Sequence, residues 1–162
     1  MEQSNSQNSR ARKIEWEGRD IISVLKDMCI PYDLGNAVPV DVESMPLEIR
    51  ELAHKLVKPK ACFYNAAMML SVMRRNDVKY VVGYVSAPVP FEHAWIRVGE
   101  SYYDPTWEIL NKSFGSEYLP LIEMWWEELD KVMNCMGTDE PPDLAALRRL
   151  EGRFSVRSSP RK

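Results

Sequence analysis

Cysteine is scarce in this sequence, and its spacing excludes several kinds of site. The chain of 162 residues contains only Cys29, Cys62 and Cys135, and it has no C-x-x-C pair. An odd and sparse set argues against a disulfide framework, and the missing pair excludes a zinc ribbon and a thioredoxin motif. We therefore expect a protein of a reducing, cytoplasmic compartment.

Long apolar runs are also missing. No segment approaches the roughly 18 consecutive apolar residues of a membrane span. The residues before Arg19 have no apolar centre, so we expect no secretory signal. The net charge is −3, and we interpret the acidic and basic runs as solvated surface. We expect neither a membrane nor a nucleic acid as a partner.

The composition that remains is that of one globular domain. Hydrophobic residues make up 45% of the chain and charged residues 28%, which suits a single domain with its own core. We predict a disordered tail at 1–13, one α+β domain of catalytic type at 14–150, and a basic, disordered tail at 151–162.

The period of the apolar residues changes along the chain, which indicates a mixed fold. The predicted helices cover 16–28, 46–57 with Ser44 as N-cap, 61–75, 118–135 and 144–150. The predicted strands cover 78–87, 92–98 and 102–104. Helices, then a small antiparallel sheet, then a helix predict the α+β class, with N-terminal helices packed on the sheet.

The second and third predicted strands carry a histidine and an aspartate. If the turn between them centres on Val98-Gly99, His93 faces Asp104 directly. If it centres on Gly99-Glu100, Asp104 faces Trp95, which lies on the same face of the sheet as His93. In both registers the Cβ atoms of His93 and Asp104 lie within about 5 to 8 Å of each other. A carboxylate there would fix the tautomer of a general base.

Cys62 is the nucleophile type that such a base could serve. It begins a predicted helix, where unpaired N–H groups and the helix dipole stabilise a thiolate. Lys58 and Lys60 add positive charge beside it. If the sheet packs on this helix, Cys62 can meet the histidine, giving a nucleophile, a base and an orienting group.

Each of these residues also has an ordinary structural explanation. Cys62 lies on the apolar stripe of its own helix, where a free cysteine is a common core residue. His93 can be a hydrogen-bonded strand histidine, and Asp104 before Pro105 can simply form a turn. A zinc site built from the same three side chains is a further alternative. The catalytic hypothesis depends on the three residues coinciding.

Three motifs follow one another in that order: KACFYNAAMML around Cys62, FEHAWIRV around His93 and SYYDPTW around Asp104. Over residues 58–108 they resemble the transglutaminase-like branch of the papain-like cysteine superfamily, which includes the arylamine N-acetyltransferases. They are also similar to short, uncharacterised bacterial and phage proteins. The resemblance implies a papain-like or transglutaminase-like core with Cys62 as nucleophile, His93 as base and Asp104 as orienting group.

The resemblance also implies an activity. In that superfamily a thiolate attacks an amide, ester or thioester carbonyl, and water or an amine resolves the acyl-enzyme. We therefore predict a hydrolase or transferase without a cofactor or a metal. The expected substrate is a peptide, a protein or a small amide or thioester, and a separate protein partner is a second option. The alternative is a non-catalytic binding or inhibitor module on the same fold, such as a phage-type accessory protein.

The sequence names several further candidates for the site. The segment Lys58-Pro59-Lys60-Ala61 replaces the glycine-rich run that precedes the nucleophile in that family. The Cys62 backbone N–H is expected to be one oxyanion donor; the second is open among Asn65, Tyr64 and a backbone group of residues 33–40. The candidate substrate-binding or oxyanion residues are Asn65, Tyr64, Trp95, Tyr103 and Trp107.

Overall fold

The structure is a computed structural model that describes residues 19–151. The predicted tail at 1–13, and all but the first residue of the tail at 151–162, lie outside the described residues. None of the helices in the described part of the chain is long and apolar enough to cross a membrane.

Within residues 19–151 the chain forms six α-helices and one four-stranded antiparallel sheet, which confirms the α+β class. The helices are α1 (Ile21–Asp27), α2 (Leu47–Leu56), α3 (Cys62–Met73), α4 (Pro105–Leu110), α5 (Trp126–Met136) and α6 (Leu144–Leu150). The strands are β1 (Val78–Ser86), β2 (Pro90–Val98), β3 (Ser101–Tyr103) and β4 (Glu117–Met124).

The sheet has the order β3-β2-β1-β4, so the long hairpin of β1 and β2 forms its centre. In β2 and β3, Ile96 pairs with Tyr103, and Val98 with Ser101. This is the second of the two predicted registers, in which Asp104 lies opposite Trp95. The short β3 ends at Tyr103, and the chain turns into α4 beside the rest of β2.

The two faces of the sheet carry cores of different size. Ala66, Met69 and Leu70 of α3 pack with Tyr80 and Ile96 in the main core. The opposite face carries a small cluster of Val81, Val85, Trp95 and Tyr118, with Val40 and Val42 packed against it. Val40 bridges to β4 and Val42 to β3, so the segment 40–43 joins the two outer strands over the small cluster.

The prediction of a helix over 118–135 is wrong in its first half. Residues 117–124 form β4, and only Trp126–Met136 form a helix. Leu119 and Ile122 are three residues apart, which fits one face of a helix. In β4 both reach the main core because the register shifts between them. Pro120 has no N–H to donate, and it stands where the register shifts at Val82/Gly83.

Two smaller differences concern helix starts. The short helix α4 was not predicted; Asp104 is its N-cap and Pro105 its first residue. The N-cap of α2 is Pro46 rather than Ser44. Proline suits the first turn of a helix because the N–H that it lacks would have no acceptor there.

Candidate active site

Cys62 is the first residue of α3, and the structure places its half-buried side chain at the open end of that helix. The apolar stripe of α3 anchors the helix on the sheet, which fixes the position of its N-terminus. The N-cap is Ala61, and no side chain caps the N–H groups of the first turn. The first N–H groups of a helix have no acceptor inside the helix, so they can bind a negatively charged atom.

His93 and Asp104 form a buried pair at the end of β3. The His93 Nε2 and Asp104 Oδ2 atoms are 2.8 Å apart, and both side chains are almost completely buried. The Tyr118 hydroxyl donates to the same Oδ2 at 2.7 Å, and the Trp107 N–H donates to Oδ1 at 3.1 Å. The predicted contact between the imidazole and the carboxylate is therefore present, and both carboxylate oxygens accept hydrogen bonds.

The imidazole of His93 has two polar neighbours, Asp104 and Cys62. Burial opposes its positive charge, but the hydrogen bond to Asp104 and the contact with Cys62 outweigh burial and raise the pKa of His93 to about 9. Because Asp104 holds Nε2, Nδ1 is the ring nitrogen left to face the sulfur. With a pKa of about 9, the ring is mainly an imidazolium at neutral pH.

The carboxylate is held in place by a tyrosine that stays neutral. Burial raises the pKa of Tyr118, and the negative charge of Asp104 raises it further, so its hydroxyl remains a hydrogen-bond donor. The Gly115 N–H donates to the Tyr118 oxygen at 3.1 Å, which orients the hydroxyl. Asp104 is therefore fixed from three sides, by His93, Tyr118 and the start of α4.

Aromatic rings surround the imidazole. The fully buried Trp95 stacks on it with the ring centroids 6.2 Å apart. Phe91 and Trp107 lie on its other sides, each 5.9 Å away, and are 5.7 Å from each other. Phe91 is 39% exposed and Trp107 is half-buried. Trp95 thus packs on the imidazole from the core, and Phe91 and Trp107 lie on its more exposed sides.

The five candidate binding residues prove to have different positions. Trp95 is buried beneath His93, and Tyr103 packs into the main core on the opposite face of the sheet, so neither is placed to touch a substrate. Asn65 is fully buried and both hydrogens of its amide are used within the protein, which leaves none for an oxyanion. Tyr64 is 37% exposed and Trp107 half-buried, so these two remain candidates.

Three residues of the site were missed by the sequence reasoning: Phe91, Thr106 and Tyr118. Tyr118 was hidden because its segment was predicted to be helical. Phe91 is two residues before His93, so the alternation of β2 already places it on the same face. Thr106 lies in α4, whose signal was the Asp-Pro pair at its start.

The same geometry bears on the zinc alternative. No group of three His, Cys, Asp or Glu side chains between Arg19 and Glu151 is arranged to hold a metal ion. The zinc alternative therefore has no support from the described residues.

A surface cavity of about 310 Å³ lies elsewhere, lined by Arg50, His54 and Glu108 among others, and none of Cys62, His93 and Asp104 lines it.

Comparison of the chain with protein-family models, with curated proteins and with solved structures finds no match. The resemblance to the transglutaminase-like branch thus remains a prediction from the three motifs.

The charge on His93 predicts a pH dependence of stability. Because the pKa is 6.5 for a free histidine and about 9 in the fold, protonated His93 stabilises the protein fully below pH 6.5, and this stabilisation is lost as the pH rises to about 9. We expect the free energy of unfolding to fall by about 3 kcal/mol over that range. Urea unfolding at several pH values measures it.

The exposed His54 provides the matched control for this experiment. His54→Gln should keep the slope between pH 6.5 and 9, whereas His93→Gln should flatten it. Equal slopes in the two variants would contradict the charge state assigned to His93.

Proposed function

We propose that the protein is a cysteine-dependent acyl-transfer enzyme that uses Cys62 as nucleophile, His93 as acid and base, and Asp104 as the group that orients the imidazole. The observation that carries the proposal is the imidazole of His93, which contacts Asp104 through Nε2 and has Cys62 as its other polar neighbour. A sulfur next to an imidazole that is itself held by a carboxylate is the arrangement of an activated nucleophile, its base and the group that orients the base.

The proposed reaction has two halves. The Cys62 thiolate attacks the carbonyl carbon of an amide, ester or thioester, and the carbonyl oxygen becomes an oxyanion. When the C–N, C–O or C–S bond breaks, the His93 imidazolium gives its proton to the leaving group, which leaves an acyl-enzyme. Water or an amine then loses a proton to the neutral imidazole and attacks the acyl group. The departing sulfur recovers the thiolate beside the imidazolium.

The oxyanion is proposed to bind at the N-terminus of α3. The Cys62 N–H lies in the first turn of that helix, and the N-cap Ala61 supplies no side-chain acceptor. Preorganised N–H groups of this kind stabilise the charge that develops on the carbonyl oxygen. The Phe63 N–H is the next donor of the same turn.

The substrate is proposed to be a peptide, a protein, or a small amide or thioester whose acyl side contacts Phe91 and Trp107. Both rings flank His93 on its approach, and Tyr64 lies on the first turn of α3 beside the Lys58 ammonium, 4.8 Å from its ring centre. This arrangement is compatible with the papain-like core that the motifs suggest. A cytoplasmic setting suits three free cysteines, two of them exposed.

The test is detection of an acyl group on Cys62 by intact mass. The exposed Cys29 and Cys135 are first replaced by serine, giving a single-cysteine protein in which only Cys62 can react. This protein is mixed with a panel of p-nitrophenyl esters, thioesters and anilides. We expect a transient adduct of acyl mass that is absent after Cys62→Ala. No adduct from any member of the panel, or an equal adduct after His93→Ala, would contradict the proposal.

The binding-module alternative predicts a different result. If the fold only occupies a partner, no acyl adduct forms and Cys62→Ala retains the full biological effect. The replacement of the family's glycine-rich run by Lys58-Pro59-Lys60-Ala61 is the feature that favours it, and Lys60 in that run has a left-handed backbone with φ of 55°.

A further inference from the structure

The segment that leads into Cys62 is held by a buried side chain rather than by its own local structure. Lys60 has a positive φ of 55°, and Ala61 offers no side-chain cap to the helix that follows. A left-handed backbone at a residue other than glycine persists only where the surroundings enforce it. The contacts around this segment therefore decide where the sulfur lies.

Asn65 makes those contacts. Its Oδ1 accepts the Lys58 N–H at 2.9 Å, and its Nδ2 donates to the Lys58 carbonyl at 2.9 Å. The Asn65 backbone N–H also donates to the Ala61 carbonyl at 2.7 Å. One residue thus binds both ends of the segment 58–61. Asparagine fits because it combines an acceptor with two donors on a short side chain.

The second hydrogen of the Asn65 Nδ2 group bonds to the part of the chain that carries Asp104. It is donated to the Thr106 Oγ1 atom at 3.1 Å in a buried hydrogen bond. Thr106 lies in the first turn of α4, two residues after Asp104, which caps the same helix. The Asn65 amide therefore connects the segment before Cys62 with the helix start that carries the partner of His93.

We infer that the Asn65–Thr106 hydrogen bond is a positioning device that holds the Cys62 sulfur against the His93 imidazole. This inference rests on the proposed function, because it concerns the same nucleophile and base. Neither residue touches the substrate in this account, and both act through the placement of the reacting groups. The bond couples two segments that are 41 residues apart in sequence.

The test uses the reactivity of Cys62 at two pH values. Iodoacetamide alkylates the single-cysteine protein at a rate that depends on the thiolate fraction. A thiol with no charged neighbour is largely neutral at pH 6 and largely ionised at pH 9, so labelling at pH 6 is the part that reports a nearby imidazolium. We expect Thr106→Val to lower the rate at pH 6 about tenfold, and to leave the rate at pH 9 within about twofold. Thr106→Ser, which keeps the acceptor, should restore the rate at pH 6.

One further variant separates positioning from folding. Asn65→Ala removes all three side-chain hydrogen bonds and can unfold the chain, so Thr106→Val carries the test. Tyr102→Phe removes a hydrogen bond of 2.5 Å to Glu123; Tyr102 lies on β3 and pairs with Arg97, which is four residues along β2 from His93. It can lower stability, but it should leave the ratio of the two rates unchanged.

The rates of alkylation distinguish the positioning role of the Asn65–Thr106 hydrogen bond from the proposed function. A ratio of the pH 6 to the pH 9 rate that is unchanged by Thr106→Val, as by Tyr102→Phe, would overturn this inference and leave the proposed function intact. Absence of labelling at pH 6 in the parent single-cysteine protein would overturn the proposed function and this inference with it.

Discussion

Asp104→Asn is expected to lower the rate of acyl transfer by about 10³- to 10⁴-fold, the effect seen in comparable nucleophile–histidine–aspartate sites. In the structure the carboxylate accepts from His93 and Tyr118 at one oxygen and from the Trp107 N–H at the other. An amide group has only one acceptor oxygen, so one set of donors must face an NH₂ group. In either orientation the imidazolium loses its negative partner, and the pKa of His93 falls.

The rate of acyl-enzyme formation measures this effect, with urea unfolding alongside to show that the protein is folded. Asp20→Asn is the matched control, because Asp20 also caps a helix, at Ser23, on the surface. Asparagine is as good an N-cap as aspartate, so the control should keep both rate and stability. An Asp104→Asn protein that reacts within tenfold of the parent would show that the carboxylate does not orient the base.

Gly83→Ala is expected to cost more than about 3 kcal/mol of stability, or to prevent folding. A Cβ atom at Gly83 would lie 2.0 Å from the Leu119 carbonyl oxygen and 3.0 Å from the Pro120 Cα atom. Both are backbone atoms of β4, so no side chain can move aside. The reason is space rather than backbone conformation, since the clash arises where β4 shifts register against β1.

Gly99→Ala serves as the comparison for this prediction. Gly99 has a positive φ of 60°, but no atom lies within 4 Å of the place that a methyl group would take. Alanine there should cost only about 1–2 kcal/mol, the penalty of the left-handed conformation. Equal losses of unfolding free energy in the two variants would contradict the close approach of β4 to Gly83. We expect the arrangement of the active site to be lost together with β4, because β4 carries Tyr118.

The central part of the fold could be predicted because its signals are local. The stripe of α3 and the hairpin of β1 and β2 follow from short periodic patterns. The proximity of His93 and Asp104 follows from alternation, since both plausible registers put them on one face. The contact of the imidazole with the sulfur needed the packing of α3 on the sheet, which the sequence indicates only as a possibility.

The parts that failed depend on tertiary choices. The spacing of Leu119 and Ile122 fits one face of a helix, and it suits β4 only because the register shifts between them. The same error hid Tyr118, the second donor to Asp104. Tyr103 is a different case: it pairs with Ile96, whose side chain points to the face opposite His93. Alternation already implied this position, because in both registers Asp104, the next residue, lies on the face of His93.

The central claim is that the Cys62 sulfur and the His93 imidazole form a reactive pair, and its most direct test is the pH dependence of alkylation. The single-cysteine protein is treated with iodoacetamide from pH 5 to 10, with and without His93→Ala. We predict rapid labelling of Cys62 at pH 6 that falls at least about tenfold without the imidazole. Labelling that begins only above about pH 8, the range of an ordinary thiol, and that is the same in both proteins would contradict the account.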